Sequence, residues 1–509
     1  MGNAVSRLSN VDRGTLKTVR HFVSVRVQRL PPVAAQRVIK EFYKRRGDRF
    51  GSASGLAALW ADTTTADALL ASGVEYGGIT VEELAAVLRQ RGLWDGWERL
   101  VTADGTFPTG LLAHVQRALT IRAGVPRAIV SDERGRVPRG TPQPLPTLFD
   151  YQRHAVDAWL HAGRGVIALP PRAGKTRIAV AAVASLGLPT LYVVPGVGLA
   201  KQTVAVFRNH GLTAAQATGG RQSAKRQREI ARAQVWVATP QTAVKLPGIG
   251  GRQVLVLDEF HHAAAQTWQA VSQAASGAHW RLGLTGTHYR ADGRDLAMTG
   301  VLARAVYERT VADMVGLGRL VPARIAMLRI TGRVSGKGHE TYAAGIVDHE
   351  ARNAALTMAA NTLTRRGRRV LVLTKHVRHA EALAARISGS RQVDGRDNAA
   401  VDTALADLAA RRCMAVVGTS VIGEGRDVPA CDALVYAAGG KSRVKVKQDY
   451  FRALTASAGK KEAIIVDAAD CQHDTLTHQS ARRLRLYRSE GVFTVDVMDP
   501  QSFNAWLGG

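Results

Sequence analysis

Cysteine is nearly absent from this chain: Cys413, Cys431 and Cys471 are three thiols among 509 residues. None stands near another, which excludes a disulfide framework, a zinc clip and a paired redox motif and leaves reduced structural thiols. Long apolar runs are missing as well. No stretch approaches the ~20 uncharged apolar residues that a membrane-spanning helix needs, and no charged-then-apolar leader opens the chain. The expected location is the cytoplasm, that of the host if the source is viral. Met1–Ser6 fits a myristoylation pattern at Gly2, but nothing else in the sequence points to a membrane. Acidic residues are in short supply too, with 41 Asp and Glu against 69 Lys and Arg, a formal charge of +28. Such a balance suits a polyanionic partner, because basic side chains displace counterions from a phosphate backbone.

What is present is ordinary for a globular protein, with 46% hydrophobic and 22% charged residues over a length that suits about three domains. The start is strongly basic, with Arg20, Arg26, Arg29, Arg37, Lys40, Lys44, Arg45, Arg46 and Arg49. Residues Thr80–Leu93 predict a helix, with Thr80 as N-cap and Glu83 in the capping-box position. The segment Arg134–Thr147 carries four prolines and two glycines and reads as an exposed linker.

Beyond the linker, short β-branched runs alternate with Ala-rich segments. Val166–Leu169, Thr190–Val194, Val235–Ala238, Val254–Leu257 and Arg281–Leu284 read as buried parallel strands, with crossover helices at Ala179–Leu186 and Leu199–Arg208. The rhythm restarts at Val370–Leu373, Ala415–Val417, Ala433–Tyr436 and Ala463–Val466. The expected fold is therefore α/β: two tandem RecA-like parallel-sheet lobes behind a basic, mainly helical N-terminal accessory domain. The expected boundaries are 1–133 for the accessory domain and 134–147 for the linker. Lobe 1 takes 148–315, lobe 2 takes 316–475, and 476–509 form a C-terminal helix and tail.

Two patterns carry chemistry. The strand from Val166 runs through Arg172, Ala173 and Gly174 into Lys175 and Thr176. Backbone N–H groups at the start of a helix cradle phosphate oxygens, a lysine there reaches the β- and γ-phosphates, and a threonine hydroxyl binds Mg²⁺. The strict pattern asks for glycine where Leu169 stands. The apolar strand Val254–Leu257 runs into Asp258 and Glu259, 83 positions after Lys175 (258 − 175). Carboxyl ends of parallel strands share one crevice, so Asp258 is expected to hold Mg²⁺ and Glu259 to orient and deprotonate the attacking water. ATP and Mg²⁺ are the expected cofactors.

With these residues in view, the order of motifs resembles that of superfamily 2 helicases, in the group that includes XPB-type repair helicases and phage UvsW-like proteins. Phe149–His154 resembles the motif whose glutamine, here Gln152, contacts adenine. Val193–Pro195 resembles motif Ia and Val237–Gln241 the next nucleic-acid contact, implying roles for Pro195 and Thr239. Asp258–His261 is similar to a DEAD/DEAH box, in which His261 relays between lobes. Gly283–Thr287 looks like motif III, implying that Thr285 and Thr287 couple hydrolysis to movement. Related helicases usually carry glycine where Arg172 stands. In the second lobe Val370–Ala380 resembles motif IV, and Gly418–Pro429 resembles motif V. There Thr419 would touch the nucleic-acid backbone and Gly425 and Asp427 would face the nucleotide. Gly316–Pro322 resembles the connector, and Gly459–Asp467 with His478–Arg482 the closing strand and helix.

Motif VI departs from the pattern. It reads Gln448-Asp449-Tyr450-Phe451-Arg452-Ala453-Leu454-Thr455, so Arg452 survives while Asp449 and Thr455 replace the outer arginines. Gln448 is the coupling residue by resemblance. Arginine fingers are worth ~10³–10⁵ in rate, so either Arg452 suffices, Arg443 assists, or hydrolysis is weak. The resemblance implies an ATP-dependent helicase or translocase acting on nucleic acid, DNA by analogy with its relatives, as single strands or forked or branched duplex. Two alternatives stay open: a nucleic-acid-binding scaffold with a degenerate ATPase, or the motor subunit of a restriction or defence complex with a protein partner.

Overall fold

The structure is a computed structural model that describes residues 15–18, 23–26, 43–45, 97–99, 106–123, 129–132, 137–217, 224–262, 266–286, 295–394, 397–419 and 431–508. Leu169–Lys175 aside, the chain divides into a first unit ending at Glu308 and a second covering Arg309–Gly509.

In the first 133 residues, β1 (Thr15–Thr18), β2 (Val23–Arg26), β5 (Thr106–Phe107) and β6 (Ile129–Asp132) form a sheet in the order β5-β1-β2-β6. The strands β3 (Tyr43–Arg45) and β4 (Trp97–Arg99) pair antiparallel. Helix α1 spans Leu112–Ala123. The helix expected over 80–93 lies outside the described residues. Residues 137–149 form no regular element, and Gln143 N donates to Ala184 O at 2.9 Å.

The first lobe is built on seven parallel strands. They are β7 (Arg164–Ala168), β8 (Thr190–Val193), β9 (Ala214–Gln216), β10 (Val235–Ala238), β11 (Val254–Leu257), β12 (Trp280–Thr285) and β13 (Ala305–Glu308), in the order β13-β7-β12-β11-β8-β10-β9. Every residue of β8, β10 and β11 is buried, because helices cover both faces of a parallel sheet and leave no side of a central strand wet. The helices are α2 (Asp150–Ala162), α3 (Lys175–Leu186), α4 (Val197–Asn209), α5 (Ala224–Arg232) and α6 (Gln266–Ala274). Gly163, at φ 71°, ends α2 in the left-handed conformation that glycine adopts without a Cβ clash.

The second lobe repeats the plan with β14 (Ala323–Ile330), β15 (Val370–Thr374), β16 (Ser390–Val393), β17 (Ala415–Thr419), β18 (Ala433–Tyr436), β19 (Ala463–Asp470) and β20 (Phe493–Met498). Their order is β16-β17-β15-β18-β19-β14-β20, again with parallel pairs. Its main helices are α7 (Glu350–Arg365), α8 (Val377–Ala384), α9 (Asn398–Ala409), α10 (Arg443–Leu454) and α11 (Asp474–Arg488). The segment 476–509, read from sequence as a helix and tail, also contributes β20, which pairs with β14 and completes this sheet. Among the described residues no helix is long and apolar enough to cross a membrane.

Candidate nucleotide and nucleic-acid site

In the first lobe Pro195, Thr239, Asp258 and Thr285 stand at the carboxyl ends of their strands, and Lys175 follows the loop after β7. Strand registers align these ends along one edge: Ala168 pairs with Thr285, Leu257 with Gly283 and Val193, and Val193 with Ala238. The acidic strand β11 is separated from β7 by β12, so Thr285 ends the strand between the loop-bearing and the acid-bearing strands.

The loop after β7 is tight. Leu169 and Ala173 are buried, and Ala173 N donates to Pro170 O at 3.3 Å. Gly174 has φ 73° and Arg172 has φ 71°. The left-handed region costs an L-residue about 1–2 kcal/mol, which is a physical reason for glycine to be the common choice at 172. Helix α3 starts at Lys175 with no acidic residue in its first turn, and a helix N-terminus of this kind favours an anion. The Lys175 ammonium donates to Leu169 O at 3.2 Å and Pro170 O at 3.3 Å. The donor set of this loop, with Thr176 behind Lys175, fits a polyphosphate.

Asp258 follows β11 and is buried. Its Oδ2 accepts from the Tyr192 hydroxyl at 2.9 Å, its Oδ1 from Glu259 N at 2.9 Å, and its own N donates to Val193 O at 2.9 Å. Burial, then the Asp258 charge beside it, pushes the Tyr192 hydroxyl well above its ordinary range, so it remains a proton donor at neutral pH. Tyr192 packs edge-on against Phe207, with ring centroids 5.5 Å apart. The sequence reading passed over this tyrosine; its only signal is an aromatic hydroxyl inside a buried strand. Glu259 has φ 49°, the second strained non-glycine position at this edge. His261 Nδ1 lies 3.2 Å from Glu259 Oε2, with the imidazole side chain 8% exposed and the glutamate 25%.

Gln152 is buried on the first turn of α2, and its Oε1 accepts from Phe149 N at 3.1 Å. Phe149 stacks on Tyr151 at 6.0 Å with 13° between planes. Pro195 is exposed just after β8, and the exposed Val197 opens α4. Thr239 follows β10, is buried, and donates through Oγ1 to Thr242 Oγ1 at 3.2 Å. Thr285 is buried. Thr287 lies outside the described residues.

In the second lobe Thr419 ends β17 and is buried. Gly425 and Asp427 lie outside the described residues. Gln448 is half-buried on α10. Arg452 is buried one turn later, with Nη2 3.5 Å from Asp449 Oδ1 and side chains 5% and 2% exposed. The departure of motif VI is thus a substitution inside the lobe: the aspartate at 449 is a buried counter-ion of the arginine that remains.

The turn that feeds α10 is held by side chains that sequence reasoning missed. Arg352 Nη1 donates to Ala437 O at 3.0 Å, Tyr342 Oη to Ala438 O at 2.7 Å, Tyr436 Oη to Gly439 O at 3.1 Å, and Arg483 Nη1 to Gly440 O at 2.8 Å. Both arginines are buried and share acids. Arg483 meets Asp467 at 2.7 Å and Asp470 at 3.3 Å, and Arg352 meets Asp470 at 2.8 Å. The Tyr487 hydroxyl also donates to Asp467, at 2.9 Å. Gly439 at φ 64° and Gly440 at φ 82° supply the turn.

Comparison with known proteins gives the context. Residues 145–290 match the family model described as the type III restriction enzyme res subunit. The chain is 31% identical over 170 residues to the DNA 3'-5' translocase XPB2 of Sulfurisphaera tokodaii, covering 33% of this chain and 37% of that protein. It is 28% identical over 190 residues to the DNA 3'-5' helicase XPB of Mycobacterium tuberculosis, covering 36% of this chain and 34% of that one. The matches thus span only about a third of these curated relatives, at 37% and 34% of their lengths. Among solved structures, the ATP-dependent Type ISP restriction-modification enzyme LlaBIII bound to DNA aligns with a TM-score of 0.54 at 15% identity, over 71% of this chain and 32% of that one. At that identity the likeness is one of fold, that of tandem RecA-like lobes. The chain is thus similar over residues 145–290 to the type III restriction enzyme res subunit family, over 170 and 190 residues to DNA 3'-5' translocases and helicases named XPB, and in fold to an enzyme with tandem RecA-like lobes.

Proposed function

We propose that the chain is an ATP-driven helicase or translocase that works on DNA. The observation that carries this reading is the carboxyl edge of the first sheet. Asp258 is fixed there by a tyrosine hydroxyl and a backbone N–H, on the sheet whose strand β7 runs into the helix N-terminus at Lys175. In this reading the backbone of Arg172–Gly174 and the Lys175 ammonium bind phosphates. Thr176 and Asp258 hold Mg²⁺, which would neutralise charge on the phosphates, and Glu259 takes the proton of the attacking water, oriented by His261. Gln152 contacts the base. Gly425 and Asp427 face the nucleotide from the second lobe, and Thr285, Thr287 and Gln448 transmit its state. Pro195, Thr239 and Thr419 meet nucleic-acid phosphates, which position rather than specify. DNA is favoured over RNA because the curated relatives named above are DNA translocases and helicases; single-stranded and forked forms are the substrates to try first. The domain boundaries at 134–147 and 316 belong to the same proposal.

A second reading has its own observation. Arg452 is buried against Asp449, and the outer arginine positions are Asp449 and Thr455, which favours a nucleic-acid-binding scaffold with weak hydrolysis. The restriction-family match over 145–290 favours a third, the motor subunit of a restriction or defence complex. ATP hydrolysis by the wild type and by Glu259→Gln, with single-stranded DNA, forked DNA and RNA, separates them. Polymer-stimulated hydrolysis that vanishes in the variant supports the motor. ATP binding without hydrolysis on any polymer supports the scaffold. Hydrolysis that appears only with a co-purified nuclease subunit supports the complex.

A further inference from the structure

Lys460 lies in the turn before β19 and directs all three of its ammonium protons at backbone carbonyls. Nζ donates to Cys431 O at 2.5 Å, to Thr455 O at 3.2 Å, and to Ala453 O. Ala453 belongs to the last turn of α10 and Thr455 follows it. Cys431 leads into β18. Leu454 O, at the same helix end, accepts from Val321 N at 2.9 Å.

An ammonium has three donors and no acceptor, and the C-terminal turn of a helix presents carbonyls without intrahelical partners and the negative end of the dipole. Here one half-buried cation meets two carbonyls at the end of α10 together with one at the entry to β18. Backbone carbonyls, unlike side chains, cannot swing away from such a contact without moving the chain. The entry to β18 and the end of the helix carrying Gln448 and Arg452 are therefore tied together.

We infer that Lys460 is a positioning residue that fixes the end of α10 to the entry of β18, so that Gln448 and Arg452 keep a set register to the second sheet. The inference rests on the proposed ATPase. In that reading two motifs respond to one nucleotide, and misplacement by ~1 Å costs on the order of a hundredfold in rate.

The test compares wild type, Lys460→Met, which keeps the stem but removes the charge, and Lys460→Arg. In Lys460→Met the DNA-stimulated kcat falls about tenfold or more, while KM for ATP stays within about twofold of wild type. Lys460→Arg recovers a substantial part of that kcat. A Lys460→Met protein that melts earlier but keeps its kcat at permissive temperature overturns the inference, since the lysine is then merely stabilising. An inactive wild type counts against the motor reading and leaves this one to hydrogen exchange. Amides of residues 443–455 exchange faster in Lys460→Met, with those of the first lobe unchanged, if Lys460 holds the helix. Unchanged exchange at 443–455 overturns the inference.

Discussion

Tyr192 illustrates how much of this site turns on single atoms. Its hydroxyl donates to Asp258 Oδ2 at 2.9 Å, and burial keeps it protonated. Tyr192→Phe leaves the ring contact with Phe207 and removes only that donor. Partners of metal-ligating carboxylates are typically worth about 10–100-fold in activity or metal affinity. The expected result in the proposed ATPase is therefore a roughly tenfold fall in kcat with a raised Mg²⁺ requirement, read from hydrolysis rates across a Mg²⁺ titration. In the second lobe, His379 is fully buried and its Nε2 lies 2.9 Å from Asn353 Oδ1. Burial, followed by the Arg352, His376 and Arg378 charges, pulls its pKa down to about 3. The unfolded chain binds this proton below ~6.5 and the folded lobe does not, so stability falls as pH drops through that value. The cost is about 2 kcal/mol at pH 5 relative to neutral pH. Urea midpoints of wild type and His379→Gln between pH 7 and pH 5 check it: the variant loses the part of the slope that His379 supplies.

At the scale of elements, what was legible in the sequence follows burial in part, for the mostly buried β14 was not read as a strand. Thr190–Val193, Val235–Ala238 and Val254–Leu257 are wet on neither face, so their composition is continuously apolar and stands out unaided. The edge strands do not stand out. Ser390–Val393 exposes its middle residues, Ala305–Glu308 has no buried residue, and Phe493–Met498 is no more than half-buried throughout; such segments read as loop or tail. The candidate site residues could be named from sequence because their chemistry constrains type and spacing together. The groups supporting them were not, because a buried arginine looks in sequence like any surface arginine. Arg483 is the clearest case. From α11 it reaches Asp467 and Asp470 on β19 and Gly440 O ahead of α10. Removing one member of such a network strands the others: Arg483→Ala should destabilise the second lobe by about 3–5 kcal/mol. Thermal melts will show this as an early transition. An exposed arginine such as Arg485 of the same helix, replaced in parallel, should leave the melt within about 0.5 kcal/mol of wild type.

For the molecule as a whole, the excess of positive charge is its widest functional signal. The formal +28 is spread along the chain, with exposed cations on both units, among them Arg228 and Arg232 on α5 and Lys375, Arg378 and Arg443 in the second lobe. If phosphate contacts hold the polymer, affinity for single-stranded DNA falls linearly in log–log salt, with a slope of about −0.7 per neutralised phosphate. A loss of at least about a hundredfold between ~50 and ~200 mM salt is expected, measured by fluorescence anisotropy. A flat response would argue against the nucleic-acid reading at this scale.

Two of the left-handed non-glycine residues, Arg172 and Glu259, set up a conflict that selection can expose. Each position holds about 1–2 kcal/mol of backbone strain that a glycine would release. In a library of variants screened for heat resistance alone, glycine should therefore accumulate at both. Screened for survival through turnover, the same library should keep glycine at 172, where the backbone is proposed to meet the phosphates, and purge it at 259, where the side chain is the proposed base. The frequency of glycine at these two codons under the two screens would read out which strained residue is tolerated as an accident of history and which is retained because it works.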